Sequence, residues 1–148
     1  MTATLILREA REALVRAHFE SEVRQDFDAT LATMDHPRYE LVGTGEVFDG
    51  AEAVLAYHRR SRTSFPDLRH DAVRLHHTAD AVIAEFELLG THLGDLFGVP
   101  PTGRTFRVPM VAFFFFDGED GDLITCERIY FDSASIATQL GILPGLAR

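Results

Sequence analysis

The stretch from Glu85 to Asp132 constrains the fold of this chain more than any other. It contains three long runs of strand-forming residues, and the run Val108–Phe116 is almost wholly apolar. Strands as apolar as this have to be covered by a second layer of structure. The sequence therefore predicts a sheet that needs helices against one of its faces.

Helical periodicity occupies the front of the chain. Between Leu7 and Thr33, apolar residues recur at spacings of three and four, which predicts one helix, or two helices with a break near Asp26–Asp28. A further helix is predicted over Ala51–Arg62, before a Phe-Pro pair that ends it. A short last helix is predicted over Ile136–Leu140.

Strands dominate the rest of the chain. A brief strand is predicted at Tyr39–Val42, and longer strands at Leu68–Thr78, Ala81–His92, Phe106–Phe116 and Leu123–Phe131. Helices at the front and strands at the back are typical of an α+β fold. We expect N-terminal helices packed in the cup of one curved, mostly antiparallel sheet of four to six strands.

The length and charge of the chain limit the number of domains and the kinds of partner to be expected. With 148 residues, the chain is expected to form one domain over 1–148. Its formal net charge is -9 and it has no Lys, which argues against a nucleic-acid partner. No run approaches the roughly 20 apolar residues of a membrane span, and no signal peptide is visible. We therefore expect a cytoplasmic protein without a membrane partner.

Several short motifs occur in an order that matches a known family. They are Phe65-Pro-Asp-Leu, Gly90-Thr-His-Leu-Gly, Gly98-Val-Pro-Pro-Thr-Gly-Arg, Val108-Pro, Ile129-Tyr-Phe-Asp and Gln139-Leu-Gly. With these motifs, the chain resembles the SnoaL-like polyketide cyclases, within the nuclear-transport-factor-2-like superfamily of cone-shaped α+β folds. The resemblance covers most of the chain.

The resemblance implies a cup-shaped sheet, a largely apolar pocket for a small apolar ligand or substrate, and frequent homodimers. It also implies a cyclase that closes a ring by intramolecular aldol condensation, or a related isomerase or lyase. In such enzymes an acidic residue at the end of the last strand is the general base, and Asp132 matches that position.

The chemistry of an aldol cyclisation explains why an acidic residue is needed there. A base removes a proton next to a carbonyl, and a carboxylate in an apolar cup is a stronger base because its charged form is disfavoured. Asp132 is the first candidate, with the alternative that it only caps the following helix. Glu127 is the alternative base if the strand has the reverse orientation.

Four residues are predicted to contact the substrate: two on the strand that precedes Asp132, and two histidines elsewhere in the chain. Arg128 and Tyr130 share the face of Asp132 by strand alternation, so they are candidate donors to a substrate oxygen. A surface salt bridge is the alternative for Arg128. His92 is placed at the pocket rim and His36 where helices meet the sheet, with structural or surface roles as alternatives.

Neither a metal nor another cofactor is expected. The sequence has seven histidines but lacks the spacings typical of zinc sites. An aldol cyclisation by acid and base groups requires none either.

Four consecutive aromatic residues, Phe113–Phe116, bear on assembly. In a strand they point alternately to the two faces of the sheet. Two would fill the core, and the other two would leave an apolar patch exposed on the opposite face. This pattern predicts a homodimer across the outer face of the sheet.

The sequence is therefore compatible with two functions. One is a cyclase- or isomerase-type enzyme acting on a small apolar carbonyl compound. The other is a non-catalytic binding module with the same cup. A polar ionisable group at an otherwise apolar pocket would favour the enzyme, and a wholly apolar cup would favour the binding module.

Overall fold

The computed structural model describes residues 3–142, in which four helices and six strands are found. In chain order they are α1 (Ala3–Arg24), α2 (Phe27–Ala32), β1 (Arg38–Leu41), β2 (Glu46–Asp49), α3 (Ala51–Ser64), β3 (Arg69–His77), β4 (Ala81–Thr91), β5 (Thr105–Phe116), β6 (Ile124–Phe131) and α4 (Ser133–Leu140). No helix within this part of the chain is long and apolar enough to cross a membrane.

The six strands form one curved sheet in the order β2-β1-β6-β5-β4-β3. All neighbouring pairs are antiparallel except β1 and β6, which run parallel. The predicted α+β fold, with helices packed against a curved and mostly antiparallel sheet, is confirmed. The turn-rich segment Gly43–Gly50 contains β2, which is the second strand of an antiparallel hairpin with β1.

The helical front of the chain is broken where the sequence predicts it. After α1, Gln25 takes a left-handed conformation with a φ of 61°. The Asp26 carboxylate then accepts a hydrogen bond from the backbone N–H of Ala29 and so caps α2. The predicted break near Asp26–Asp28 is thus confirmed.

The aromatic run in β5 separates into two faces as expected. Phe114 and Phe116 are buried against the helices, whereas Phe113 and Phe115 are only half-buried. The Phe114 ring contacts Phe19 of α1, with 5.4 Å between ring centroids. The helical layer and the sheet therefore share one apolar core on the inner face of the sheet.

The long loop between β4 and β5 is fastened to the end of α3. Ser64 Oγ donates to the carbonyl of Asp95 at 2.6 Å, and the carbonyl of Ser64 accepts from the N–H groups of Leu93 and Gly94. At Gly94 the backbone comes so close to α3 that an added Cβ would lie 1.9 Å from the Thr63 carbonyl oxygen. Only glycine fits this contact.

We expect Gly94→Ala to lower the free energy of unfolding by more than about 2 kcal/mol, because the rigid backbone of α3 cannot yield to the new methyl group. Leu93→Ala is the matched control, since Leu93 is exposed and its loss should cost less than about 1 kcal/mol. Urea unfolding of both variants checks this. Equal costs would show that the loop does not depend on the close approach.

Candidate active site

A cavity of about 340 Å³ lies between the helices and the inner face of the sheet. Its walls come from five strands and from α3, α4 and the β4–β5 loop, and they are largely apolar. The lining residues are Leu41, Thr44, Glu46, Tyr57, Arg60, Ser61, Ser64, Phe65, Leu68, Leu88, Leu96, Phe97, Val99, Phe106, Met110, Ile129, Phe131, Ser133, Ile136, Ala137 and Ile142. A cavity of this size and character suits a small apolar molecule.

Two charged residues belong to the lining, and they pair with each other. Arg60 Nη2 lies 3.0 Å from Glu46 Oε2, and both side chains are partly exposed. The Arg60 guanidinium also lies over the ring of Phe97, 4.9 Å from its centroid. This exposed pair lies on the solvent side of the lining, which leaves the buried wall on the sheet apolar.

A cluster of buried polar side chains begins directly beyond that wall. Leu41 on β1 and Ile129 on β6 line the cavity and are paired in register, as are Tyr39 and Glu127. Residues two apart on a strand share a face and lie about 7 Å from each other. Tyr39 and Glu127 therefore extend the inner surface of the sheet by one step past the cavity wall.

Hydrogen bonds join these two residues to α1. His18 Nε2 lies 2.8 Å from Glu22 Oε1 and 3.2 Å from Glu127 Oε2. The Tyr39 hydroxyl donates to Glu22 Oε1 at 2.8 Å and lies 2.9 Å from His18 Nε2. All four side chains are buried. We call His18, Glu22, Tyr39 and Glu127 the buried cluster.

The contacts of His18 fix its charge. The Thr33 hydroxyl donates its proton to the Thr30 carbonyl at 2.6 Å, so its oxygen accepts from His18 Nδ1 at 2.7 Å. The other ring nitrogen faces two carboxylates and also donates. Burial acts to lower the pKa of His18, but the carboxylates of Glu22 and Glu127 outweigh burial and raise that pKa to about 10. His18 is therefore an imidazolium at neutral pH.

The two carboxylates of the cluster differ in their acidity. Burial acts to raise the pKa of Glu22, but the His18 cation and its hydrogen bond hold that pKa far below the usual range. Burial, together with repulsion from Glu22, raises the pKa of Glu127 above its ordinary value, against the opposing charge of His18. Two carboxyl groups with pKa values pushed apart are typical of acid/base sites.

Two neutral histidines flank the cluster. His58 Nε2 lies 3.2 Å from the Tyr39 hydroxyl, and its ring stacks on Phe27 with 4.6 Å between centroids. His70 Nε2 lies 3.7 Å from Glu22 Oε2. Burial lowers the pKa of each histidine to about 4, although the charge of Glu22 opposes it. Both rings are therefore uncharged at neutral pH.

Tyr57 connects the cavity with the cluster. It lines the cavity, and its ring centroid lies 5.7 Å from that of Tyr39. Among the residues the structure describes, no group hydrogen-bonds its hydroxyl. Burial, followed by the charges of Glu22 and Glu127, raises the pKa of Tyr57 well above the usual range, so this hydroxyl keeps its proton and can donate it in a hydrogen bond.

The same residues are the candidates for holding a metal ion. One ligand atom each from His18, Glu22 and Glu127 lies within 4.8 Å of the other two. The His18 distances of 2.8 and 3.2 Å are also ordinary hydrogen-bond distances. The cluster is thus satisfied by its own donors and acceptors.

The structure orients β6 with Glu127 towards the helices, which is the orientation in which Glu127 is the candidate base. The substrate contacts of Arg128 and Tyr130 stay predictions. Arg128 and Tyr130 lie on the outer face, where Arg128 Nε donates to Glu40 Oε1 at 2.8 Å and Tyr130 is 43% exposed. The exposed Asp132 carboxylate accepts from the Ser135 N–H at 3.0 Å and caps α4. Its catalytic role stays an untested prediction, at a position outside the cavity lining.

Neither of the two predicted histidines belongs to the cavity lining. His36 is exposed, with Nε2 2.7 Å from Asp49 Oδ1. His92 is fully buried, and its Nδ1 accepts from the Thr102 N–H at 3.2 Å, which ties together the two ends of the β4–β5 loop. Their roles in substrate binding stay predictions that these contacts do not support.

Four residues of this region are not predicted from the sequence: His18, Glu22, Tyr39 and Tyr57. A signal for two of them is present, because His18 and Glu22 are four residues apart on the α1 face that carries Val15 and Phe19. Polar residues repeated on an apolar helix face indicate a buried polar contact. Glu127, their partner on β6, has no comparable pattern in the neighbouring sequence.

Comparisons with known proteins identify the family to which these features belong. The family model of the SnoaL-like polyketide cyclases matches residues 8–140. No curated protein matches the chain.

Solved structures share the fold. A candidate SnoaL-like polyketide cyclase from Jannaschia sp. CCS1 is 26% identical, with a TM-score of 0.77 over 89% of this chain and 92% of that one. A candidate polyketide cyclase from Xanthomonas campestris is 24% identical, with a TM-score of 0.81 over 90% and 98%. A protein with a ketosteroid isomerase-like fold from Catenulispora acidiphila, in complex with trimethylamine, is 19% identical, with a TM-score of 0.73 over 87% of this chain and 92% of that one.

The lowered pKa of His58 predicts a specific loss of stability in acid. Between pH 6.5 and 4, His58 binds a proton in the unfolded chain but stays neutral in the folded chain. The free energy of unfolding therefore falls as the pH drops through this range. We expect His58→Gln to reduce the loss between pH 7 and pH 5 by about 2 kcal/mol. Urea unfolding at the two pH values measures it.

His76→Gln is the matched control, because His76 is exposed and pairs with Glu85 on the surface. His76→Gln should keep the loss of stability that is assigned to His58, because His58 is unchanged in this variant. If His58→Gln also leaves the pH dependence unchanged, His58 is not held neutral by burial.

Proposed function

Because the chain belongs to the SnoaL-like polyketide cyclase family, we propose that it is a cyclase- or isomerase-type enzyme acting by acid/base chemistry on a small apolar carbonyl compound. One observation carries this proposal. An apolar cavity ends beside a buried cluster in which Glu127 has a raised pKa. Ionisable groups are costly to bury, and such groups beside a pocket are typical of catalytic sites.

In the proposed reaction, Glu127 is the base and Tyr57 is the hydrogen-bond donor. Glu127 takes a proton from the carbon next to the substrate carbonyl, and the electron pair of that C–H bond moves to the carbonyl oxygen. The resulting enolate oxygen accepts a hydrogen bond from the Tyr57 hydroxyl. His18 keeps its proton throughout and stabilises the ionised form of Glu127 before the transfer.

The ring forms in the second half of the reaction. The enolate carbon attacks a second carbonyl carbon of the same molecule, and a C–C bond replaces the C=O π bond. The new alkoxide takes the proton back from Glu127, so the enzyme returns to its starting state. In an isomerase-type reaction, the proton would instead return to a different carbon of the enolate.

The cavity limits the substrate to a compact apolar body. Its volume of about 340 Å³ and its walls of Leu, Ile, Met and Phe side chains favour a flat carbocyclic or aromatic ketone. Polar substituents of that ketone would fit best at the exposed Glu46–Arg60 pair.

A non-catalytic binding module remains the second candidate, favoured by one specific observation. Glu127 does not itself line the cavity, and the buried wall on the sheet is formed by apolar side chains. A carrier would bind an apolar ligand, raise the melting temperature by mass action and return the ligand unchanged. Incubation followed by mass spectrometry of the ligand separates the two functions.

We also propose that the protein forms a homodimer through the outer face of the sheet. Phe113 and Phe115 stack there with 5.9 Å between centroids, and Tyr130 packs edge-on against Phe113 at 5.7 Å. The Arg128 guanidinium covers the Phe115 ring at 4.8 Å. Aromatic and Arg side chains of this kind are enriched at interfaces between proteins.

We expect Glu127→Gln to lower turnover of a ketone substrate by roughly 10²–10⁴-fold, the usual contribution of a positioned base. Ligand binding should persist, because Gln fills nearly the same space. Asp132→Asn is the informative comparison, since Asn caps a helix nearly as well as Asp. It should leave turnover within about twofold of the unmodified protein.

A loss confined to Asp132→Asn would return the role of base to Asp132. No loss in either variant, together with an unchanged ligand, would favour the binding module.

For the dimer, we expect light scattering to give twice the mass of the 16.5 kDa chain at micromolar concentration. Phe113→Glu should produce a monomer, because a charge in the middle of the aromatic patch would be buried without a partner. Leu93→Glu, at an exposed position on the β4–β5 loop, should stay dimeric. A monomeric unmodified protein would refute the proposal.

A further inference from the structure

We propose that Phe97 is a specificity-determining residue: its ring packs against the outer part of a flat aromatic ligand and so favours ligands long enough to reach the mouth of the cavity. The class of ligand, a flat aromatic ketone, comes from the proposed function, on which this role of Phe97 rests. Neither Glu127 nor any chemical step is involved.

The backbone of Phe97 has a conformation that is unfavourable for a bulky residue. The N–H of Leu96 donates to the carbonyl of Val99 at 3.0 Å, and the N–H of Val99 donates to the carbonyl of Leu96 at 2.9 Å. Phe97 and Gly98 form the two-residue turn between them, and both are left-handed, with φ of 48° and 84°. Turns of this kind favour Asn, Asp and Gly, because a side chain as large as Phe is strained there.

Burial in the core does not offset this strain. Phe97 is 72% exposed, although an aromatic ring stabilises a fold mainly when it is removed from water. Asn at this position would fit the turn better and would leave no apolar ring in solvent. Strained residues that the fold itself does not require are concentrated at ligand-binding sites.

Phe97 lies at the mouth of the cavity. It belongs to the cavity lining, and its high exposure places it on the solvent side, whereas Leu41 and Ile129 form the buried wall on the sheet. The Arg60 guanidinium lies 4.9 Å from the centroid of the Phe97 ring and 5.4 Å from that of Phe48. A ligand that fills the cavity from the buried wall outwards therefore reaches Phe97 last.

The turn that carries Phe97 is fastened to the end of α3 through Asp95. The carbonyl of Asp95 accepts from Ser64 Oγ at 2.6 Å, and its carboxylate accepts from the Gly98 N–H at 3.0 Å. The ring of Phe97 thus has a defined place at the mouth, which a residue that selects ligands by their shape requires.

The length of the ligand decides whether it contacts Phe97. In a cavity of about 340 Å³, a ketone with one aromatic ring fits beside the buried wall and leaves Phe97 in water. A ketone with two fused rings extends to the mouth and covers Phe97, which buries apolar surface on both sides and adds an aromatic contact. Phe97 should therefore strengthen the binding of the longer ligand alone.

A purely structural role is the alternative, in which the Phe97 ring holds the β4–β5 loop against Arg60. The two roles predict different results for Phe97→Asn. Loss of a structural contact would lower the melting temperature. Loss of a ligand contact would weaken binding but leave the melting temperature unchanged or higher, because Asn relieves the strain of the turn.

Binding is measured by fluorescence titration with prodan, a flat ketone built on naphthalene, whose emission moves to shorter wavelengths in apolar surroundings. We expect Phe97→Asn to weaken prodan binding by at least about fivefold, the usual contribution of one aromatic contact. Acetophenone, a ketone with one ring, is measured by displacement of prodan, and its dissociation constant should stay within about twofold. The melting temperature of Phe97→Asn should not fall.

Two variants are the matched controls. Phe97→Tyr keeps the ring and should bind prodan within about twofold of the unmodified protein. Ala72 is also left-handed, with a φ of 55°, but it lies in β3 and outside the cavity lining. Ala72→Asn therefore relieves strain without removing a ring, and it should leave the binding of both ketones unchanged.

Prodan binding by Phe97→Asn within about twofold of the unmodified protein would overturn the proposal, and so would an equal loss of affinity for acetophenone. A melting temperature lowered by more than about 3 °C would assign a structural role to Phe97 instead. Failure of prodan to bind the unmodified protein would overturn this role together with the proposed class of ligand. Turnover of Glu127→Gln is a separate measurement, so a wrong catalytic assignment leaves the result for Phe97 unaffected.

Discussion

The His18 imidazolium, held between the carboxylates of Glu22 and Glu127, is the interaction on which the rest of the structure depends. Burying these groups separately would cost many kcal/mol, and only their mutual contacts make it tolerable. Since His18 and Glu22 lie on α1 and Glu127 lies on β6, the cluster fixes the position of α1 across the sheet. Replacing His18 would leave two buried carboxylates facing each other without a compensating positive charge.

A second contact of α1 explains why the helix cannot tilt away from this position. Arg11 is buried one to two turns before His18, and its guanidinium donates to the carbonyls of Ala79, Gly118 and Gly121 in two turns of the sheet. The helix is thus held at the strand ends by Arg11 and over the strand centres by the cluster. This rigidity keeps the cavity, which lies beyond the cluster, open and of fixed size.

The fold could be predicted from the sequence because it depends on local patterns, whereas the site could not because it depends on one distant contact. The apolar run of β5 and the spacing in α1 specify their own elements. The segment Cys126–Phe131 carries polar and apolar residues on both faces, so its alternation does not decide which face is buried. The face that carries Glu127 is buried because Glu127 contacts His18, which lies 109 residues earlier in the chain. Asp132 posed a different problem, since a carboxylate after a strand suits both catalysis and helix capping. The structure shows the cap through the Ser135 contact and leaves the catalytic role a prediction.

The parallel pairing of β1 with β6 affects when the β1–β2 hairpin can join the sheet. Within residues 3–142, the β1–β2 hairpin pairs with the rest of the sheet through β6 alone, and Tyr39 pairs with Glu127 across that junction. During synthesis on the ribosome, the hairpin therefore has no place in the sheet until the last strand has emerged. Contacts between segments so far apart in the chain form slowly. The cavity wall and the buried cluster both need residues of β6, so a nascent chain that stops before β6 completes neither.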